Sequence, residues 1–202
     1  MFNKHIILAS QSPRRRELLA SFGFDFEAVS SGADESGTEG MSPAQAVETL
    51  ALRKAQWVKE RRAEKEQKKD KEEKEEKEDN SVILAADTLV ALNGELLGKP
   101  SDEADAFRML TALSGTAHEV YTGIAILYGD KVITHAECTK VYFRPISDEE
   151  IRAYIASGEP MDKAGAYGIQ EKGGIFVRRI EGDYLNVLGL PLCKTYELLR
   201  TL

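Results

Sequence analysis

The sequence predicts an α/β fold with a mixed β-sheet, and three observations carry that expectation. Helix-period and strand-period patterns interleave along the whole chain. Residues 82–86, "VILAA", form a nearly continuous apolar run, typical of a strand buried on both faces. Tight-turn dipeptides at Asn93-Gly94 and Gly129-Asp130 join strand-like runs, so part of the sheet is antiparallel.

The elements follow in order. His5 to Ala9 is a short apolar run and reads as a buried strand. Ser12 then Pro13 reads as N-cap and first helical position of a helix to Phe22, with Leu18, Leu19 and Phe22 on its core face and a stop near Gly23. "FDFEAVS" alternates like a strand, and "SSGADESGTEGMS" is an acidic loop rich in glycine and serine. Ser42-Pro43 opens a second helix with Ala46, Val47, Leu50 and Trp57 as its apolar positions. Ser101 caps a helix to Leu113, residues 117–128 and 131–143 are paired strands, and Ser147 caps a helix to about Ala156. "GAYGIQEKGG" is too glycine-rich for regular structure, residues 175–180 and 184–188 read as a last pair of strands, and Pro191 starts the closing helix.

The second helix runs into residues 59–80, where nine Lys/Arg and ten Asp/Glu nearly cancel and many stand four apart. Such a run reads as a solvated helical extension or a mobile tether, and otherwise as a partner-binding arm.

The 202 residues suit one domain or two closely joined lobes. Net charge is −7, which excludes wholesale coating of nucleic acid; any basic site must be local. Cys138 and Cys193 form no CxxC pair, which argues against a disulfide framework or a structural zinc and fits a reducing compartment. No apolar run approaches membrane-spanning length, and polar "QSPRRR" stands where a signal peptide would need its cleavage site, so a cytoplasmic protein is expected. His5, His118 and His135 show no metal-ligand spacing, and there is no GxSxG and no GxxxxGK[ST].

The chemistry starts at "LASQSPRRRELL". A helix N-terminus carries partial positive charge and prefers acids in its first turn, yet Arg14, Arg15 and Arg16 crowd there. The crowding makes sense if an anion binds between backbone N–H groups and guanidinium forks, with Ser10 and Ser12 as further donors. Asp87 directly follows the buried strand, a position from which a carboxylate can act as general base or hold a divalent metal. Glu35 in "GADE" can join it around a metal, or simply be solvated. Lys54 on the second helix and Lys99 in "GKP" are point charges suited to phosphate, or solvated lysines. Asp162 and Lys163 lead into the glycine loop, where Gln170 offers an amide able to read a base edge and Tyr167 is a core or stacking ring. Ser114, Gly115 and Thr122 can line a cleft.

Together "LASQSPRRRELL", "GADE", "ALRKA", "AADTLV", "GKP", "LSGTAHEVYTG", "DKAGAYGIQEKGG" and "GDYLNVLGLPL" resemble, in the same order, the Maf family of nucleoside triphosphate pyrophosphatases. The resemblance covers nearly the whole chain as a single Maf-like domain, with residues 59–80 as an insertion. It implies a fold like that of inosine triphosphate pyrophosphatases: a mixed, elongated sheet and two lobes around a cleft. It implies hydrolysis of a nucleoside triphosphate to the monophosphate and pyrophosphate with a divalent metal (Mg2+, Mn2+ or Co2+), and a homodimer. It implies Asp87 as the base, Lys99 and Glu35 with it in catalysis, and Asp87 and Glu35 toward the metal. Arg14, Thr88 and Gln170 match positions that set nucleotide choice, while Ser10, Arg15 and Lys54 match other cleft residues. "SPRR" with "AGAYGIQ" is similar to the branch acting on dTTP and UTP, including modified uridine nucleotides; the alternatives are a 7-methyl-GTP pyrophosphatase and a non-catalytic nucleotide-binding regulator of cell division.

Overall fold

The structure, a computed structural model, describes residues 2–68 and 81–202. Strand Ile6–Ala9 (β1) leads into helix Pro13–Ser21 (α1), strand Phe26–Val29 (β2) and the long helix Pro43–Lys68 (α2). Strands Val82–Leu92 (β3) and Glu95–Leu97 (β4) form a hairpin, followed by helix Glu103–Leu113 (α3). Strands Ala117–Tyr128 (β5) and Lys131–Phe143 (β6) precede helix Asp148–Ile155 (α4). Three short 3-10 turns between residues 159 and 176 lead to strand Val177–Glu181 (β7) and helices Tyr184–Val187 (α5) and Leu192–Leu199 (α6).

The sheet is mixed, as expected, in the order β2-β1-β3-β5-β6-β7, with β4 also on β3. β1 lies parallel to β2 and to β3. The β3-β5, β5-β6 and β6-β7 pairs are antiparallel. β3 has two unequal flanks. It pairs with β5 from Ile83 to Ala91. On its other flank β1 covers only Val82–Leu84, and β4 covers Val90–Leu92. The stretch between has no strand partner on that flank among the described residues, and the sheet opens there.

Three apolar clusters hold this frame. Ala51, Ala55 and Val58 of α2 pack on Ile7, Ile83, Ala85 and Ala125, one face of the sheet. Leu18 and Leu19 of α1 and Leu192 and Leu199 of α6 cover the other face at Ile6, Leu8, Leu84 and Ile124. A second lobe forms where Leu110 of α3 and Ile151 of α4 pack with Val120, Tyr167 and Phe176. The backbone of α2 comes close to Gly123 of β5, where an added Cβ would lie 2.2 Å from the carbonyl oxygen of Val47. A side chain there would drive the helix off the sheet.

Several local expectations need correction. Residues 184–188 are not a strand: the Asp183 carboxylate accepts from Leu185 N at 2.8 Å and starts helix α5 instead. The N-cap of α3 is Asp102, which accepts from Asp105 N, not Ser101. Ser12 holds the N-cap position of α1, but its side chain bonds no helix N–H. Phe22 ends α1 and is 53% exposed rather than in the core. Ser114 and Gly115 do not line the cleft: Ser114 Oγ accepts from Ile146 N at 2.7 Å, and Gly115 packs against Pro145. The hairpin at Asn93-Gly94 has positive φ at both residues, the geometry such a turn demands. Residues 59–68 continue α2 as a helix. The rest of the charged segment lies outside the described residues.

His118, buried in the second lobe, shares a 2.8 Å hydrogen bond between Nε2 and the Tyr167 hydroxyl, while Nδ1 is buried without a partner. Desolvation pushes its pKa down from 6.5 to about 4.

Two predictions follow from this packing. Gly123→Ala lowers the unfolding free energy by about 2 kcal/mol in urea denaturation, whereas Gly98→Ala, whose Cβ meets nothing within 4 Å, does not. Equal midpoints for both variants would contradict the α2 contact. For His118, the unfolded chain takes up a proton that the fold refuses, so stability is full above pH 6.5 and falls as pH drops toward about 4. The span amounts to about 3 kcal/mol. The Arg144-held carboxylate of Glu150, pushed down from 4.5 to about 2, loses its contribution only below about pH 4.5, so the fall between pH 6.5 and 4.5 belongs to His118. Thermal unfolding from pH 7 to 4 of wild type and His118→Gln checks this: the variant's profile is flatter.

Candidate active site

The gap beside β3 is the floor of a cleft of about 780 Å3. Asp87 and Thr88 stand at its centre, within β3 and not after its end as the sequence suggested. The parallel pairing does end just before them, at Leu84, so Asp87 lies beyond the end of β1. Because consecutive strand residues face opposite ways, Asp87 points to the α2 face and Thr88 to the other. The missing strand lets one cleft reach both.

On the α2 side, Lys54 Nζ forms a short ion pair with Asp87 Oδ1 and a second, 2.7 Å long, with Glu35 Oε1. The loop that carries Glu35 is docked on α2. Gly32 abuts the Trp57 ring, where a Cβ would lie 3.1 Å from the indole, and Arg53 Nη1 donates to Ser36 O at 2.5 Å. The Asp34 carboxylate accepts from Ser36 N at 2.9 Å and tightens the turn. Three residues within one helical turn therefore set the position of Glu35.

On the other side, Arg15 is gripped by protein. Its Nε donates to Gly189 O at 2.7 Å, Nη1 to Ser10 Oγ at 3.3 Å and Nη2 to Thr88 Oγ1 at 2.9 Å. Burial lowers its pKa, against the opposing pull of Asp87, yet a guanidinium remains charged at any working pH. Gly189 has φ of 104°, and a Cβ there would lie 3.3 Å from Thr88 Oγ1 and 3.5 Å from Arg15 Nε. Arg14 reaches across the cleft to within 3.9 Å of Glu171, and Arg16 is exposed. Lys99 is exposed on the loop after β4, and Gln170 is exposed on the glycine loop opposite.

All nine residues singled out from the sequence (Ser10, Arg14, Arg15, Glu35, Lys54, Asp87, Thr88, Lys99 and Gln170) line this cleft. Lys163 and Gly189 line it too, and motif spacing did not single them out for the site. Lys163 is 6% exposed and saturated: Nζ donates to Glu159 O and Asp162 Oδ1, each at 2.8 Å, and lies 3.6 Å from Glu171. Gly168 has no side chain because the Lys163 stem runs where one would sit. A lysine set among glycines, in "DKAGAYG", was the signal available. Five cations and three acids line the cleft, a local positive excess on an acidic chain.

Glu35 and Asp87 converge on one point, now held by the Lys54 ammonium. Two carboxylates meeting in an open cleft fit a hard divalent cation that draws its remaining oxygens from water or phosphate. Among the described residues no group of three or more His, Cys, Asp or Glu forms a closed metal cage.

A mixed sheet broken by a cationic cleft, with a helix N-terminus and paired carboxylates at its floor, defines a protein built to bind and act on a polyanion. The comparisons with known proteins narrow this. A family model described as Maf-like protein matches residues 5–202, and this chain belongs to that family. It is 48% identical over 197 residues to a dTTP/UTP pyrophosphatase of Bacillus cereus, covering 98% of this chain and 89% of that protein. A dTTP/UTP pyrophosphatase of Dictyoglomus turgidum is 47% identical over 200 residues, covering 98% and 95%. One of Salinibacter ruber is 48% identical over 198 residues, covering 96% and 89%. Among solved structures, the Ham1 protein of Staphylococcus aureus aligns with TM-score 0.42 and 16% identity over 69% of this chain and 72% of that one.

Proposed function

We propose that this protein hydrolyses dTTP and UTP to the monophosphate and pyrophosphate. The supporting observation is the convergence of all nine motif residues in one cleft, in a chain nearly half identical to relatives named for that activity. A triphosphate brings about four negative charges, and the helix start with Arg14 and Arg15 meets them, which accounts for the crowded arginines. In the proposed mechanism, Asp87 takes the proton of a water whose oxygen attacks the α-phosphorus, and the bond from that phosphorus to the α-β bridging oxygen breaks. Pyrophosphate departs against the charges of Lys54, Lys99 and the arginines. Glu35 and Asp87 would hold a divalent cation, magnesium, manganese or cobalt, which when bound supplies charge neutralisation on the phosphates. Gln170, presented by the glycine loop at the cleft wall, reads the pyrimidine edge.

The same reading includes a cytoplasmic location and a small partner set. No helix among the described residues is long and apolar enough to cross a membrane. Cys138 and Cys193 are free and exposed, which favours the reducing cytoplasm. The nucleotide is the proposed partner, with no nucleic-acid polymer, alongside a second copy in a homodimer.

The test is pyrophosphate release from a panel holding dTTP, UTP, modified uridine nucleotides and 7-methyl-GTP, with magnesium and then manganese. Wild type turns over dTTP and UTP, and Asp87→Asn loses at least about 100-fold in kcat with an unchanged melting temperature. A near-normal rate in Asp87→Asn would remove that residue from the chemistry, and binding of dTTP without pyrophosphate release would point to a regulator.

A further inference from the structure

A line of hydrogen bonds runs from the cleft floor into the protein interior, and every proton in it has one direction. Arg15 Nη2 lies 2.9 Å from Thr88 Oγ1, Thr88 Oγ1 lies 2.9 Å from Thr122 Oγ1, and Thr122 Oγ1 lies 2.9 Å from Asn186 O. A guanidinium can only donate, a backbone carbonyl can only accept, and a hydroxyl owns one hydrogen. The Thr122 hydrogen therefore goes to Asn186 O, and the Thr88 hydrogen must go to Thr122.

The inner end is held as firmly. Asn186 is fully buried. Its Nδ2 donates to Val120 O at 2.9 Å and to Thr139 Oγ1 at 3.0 Å, and Thr139 Oγ1 donates to Asp183 O at 2.9 Å. Each of those partners can play only the role assigned, so the amide cannot be turned over. Thr122 and Thr139 are both fully buried, so no water competes for their hydroxyls.

The consequence falls on Thr88, which lines the cleft. Its hydrogen is committed to Thr122 and one lone pair to Arg15. What remains on Oγ1 is a lone pair. We infer that Thr122, backed by Asn186, is a positioning residue that makes Thr88 a hydrogen-bond acceptor toward the cleft and never a donor. The nucleotide group that meets Thr88 must then carry a hydrogen, either the sugar 3′-hydroxyl or the base N3–H, and a bare phosphate oxygen receives no hydrogen bond from Thr88. This rests on the reading of the cleft as a nucleotide site, whereas the hydroxyl polarity itself does not.

Two measurements separate those two claims. Proton NMR of the free protein detects hydroxyl hydrogens locked against exchange. Wild type shows slowly exchanging hydroxyl signals for Thr88 and Thr122, Thr122→Ser keeps the Thr88 signal, and Thr122→Val loses it. A fast-exchanging Thr88 hydroxyl in wild type overturns the inference whether or not the protein is an enzyme. If the Thr88 signal is locked but no triphosphate is turned over, the polarity stands and the proposed function fails.

The second measurement compares kcat/KM for dTTP and UTP with two analogues that place an acceptor where the natural group donates: 3′-fluoro-3′-deoxythymidine triphosphate for the sugar and CTP for N3. Wild type and Thr122→Ser penalise the analogue that meets Thr88 by about tenfold. Thr122→Val, in which the Thr88 hydroxyl is free to turn and donate, narrows that penalty to under about threefold. Which analogue recovers identifies the sugar or the base as the partner. If neither penalty narrows, Thr122 does not set the polarity of the site.

Discussion

One strand outlasts its neighbour, and the site exists because of it. β3 is paired with β5 almost throughout, but β1 leaves its other flank after Leu84 and β4 returns only at Val90. Strand backbone buried without partners is costly, so such an interval must open onto a solvated cleft. Residues from both faces of the sheet then meet in one space. Asp87 looks toward α2 and Thr88 toward Arg15 and Gly189, although they are adjacent in the chain. Everything else positions groups around that interval: the glycine contact that brings α2 down onto β5, the loop docked on Trp57 and Arg53, and the turn at Gly189 that receives Arg15.

Apart from the exposed Lys99, the cations of the cleft fall into two kinds. Arg15 and Lys163 are sunk in the walls with their donors largely occupied by protein oxygens. They hold the two walls in shape and supply fixed positive field. Arg14 and Lys54 instead meet acids at the cleft surface, Glu171 and Glu35, both about half-exposed, and Lys54 also pairs with the buried Asp87. The Glu171 and Glu35 ends of these pairs are solvated, so these two acids hold their cations weakly and an arriving polyanion can displace them. The acids keep the empty cleft from being an unshielded cluster of like charge. The chain as a whole is acidic, so this field is local and favours a small anion over a long polymer.

Much of this was legible in the residues. The interleaved periods, the double-faced apolar run at 82–86 and the Asn93-Gly94 turn encode the mixed sheet, because side-chain periodicity and turn chemistry are local properties. Arg14, Arg15 and Asp87 declare themselves by charge and position, whereas Thr88 and the lone Lys54, Lys99 and Glu35 gain their meaning from the resemblance to the Maf family. The misreadings were equally local in origin. "YLNVL" has the apolar, β-branched character of a short strand, yet the Asp183 carboxylate accepts from Leu185 N and caps a helix there. Phe22 has the apolar character of a core residue but sits where α1 ends.

Residue type and near-neighbour spacing suffice for the fold class, most of the elements and the chemical groups of the cleft. The tertiary structure alone decided how those groups act on one another. Lys54 meets Glu35 and Asp87 because Gly123 admits α2 to the sheet, a contact between residues 76 positions apart in the chain from Val47 to Gly123. The direction of each proton between Arg15 and Asn186 is likewise set by atoms that only folding brings together. Distance and hydrogen-bond polarity are properties of pairs far apart in sequence, and no local pattern records them.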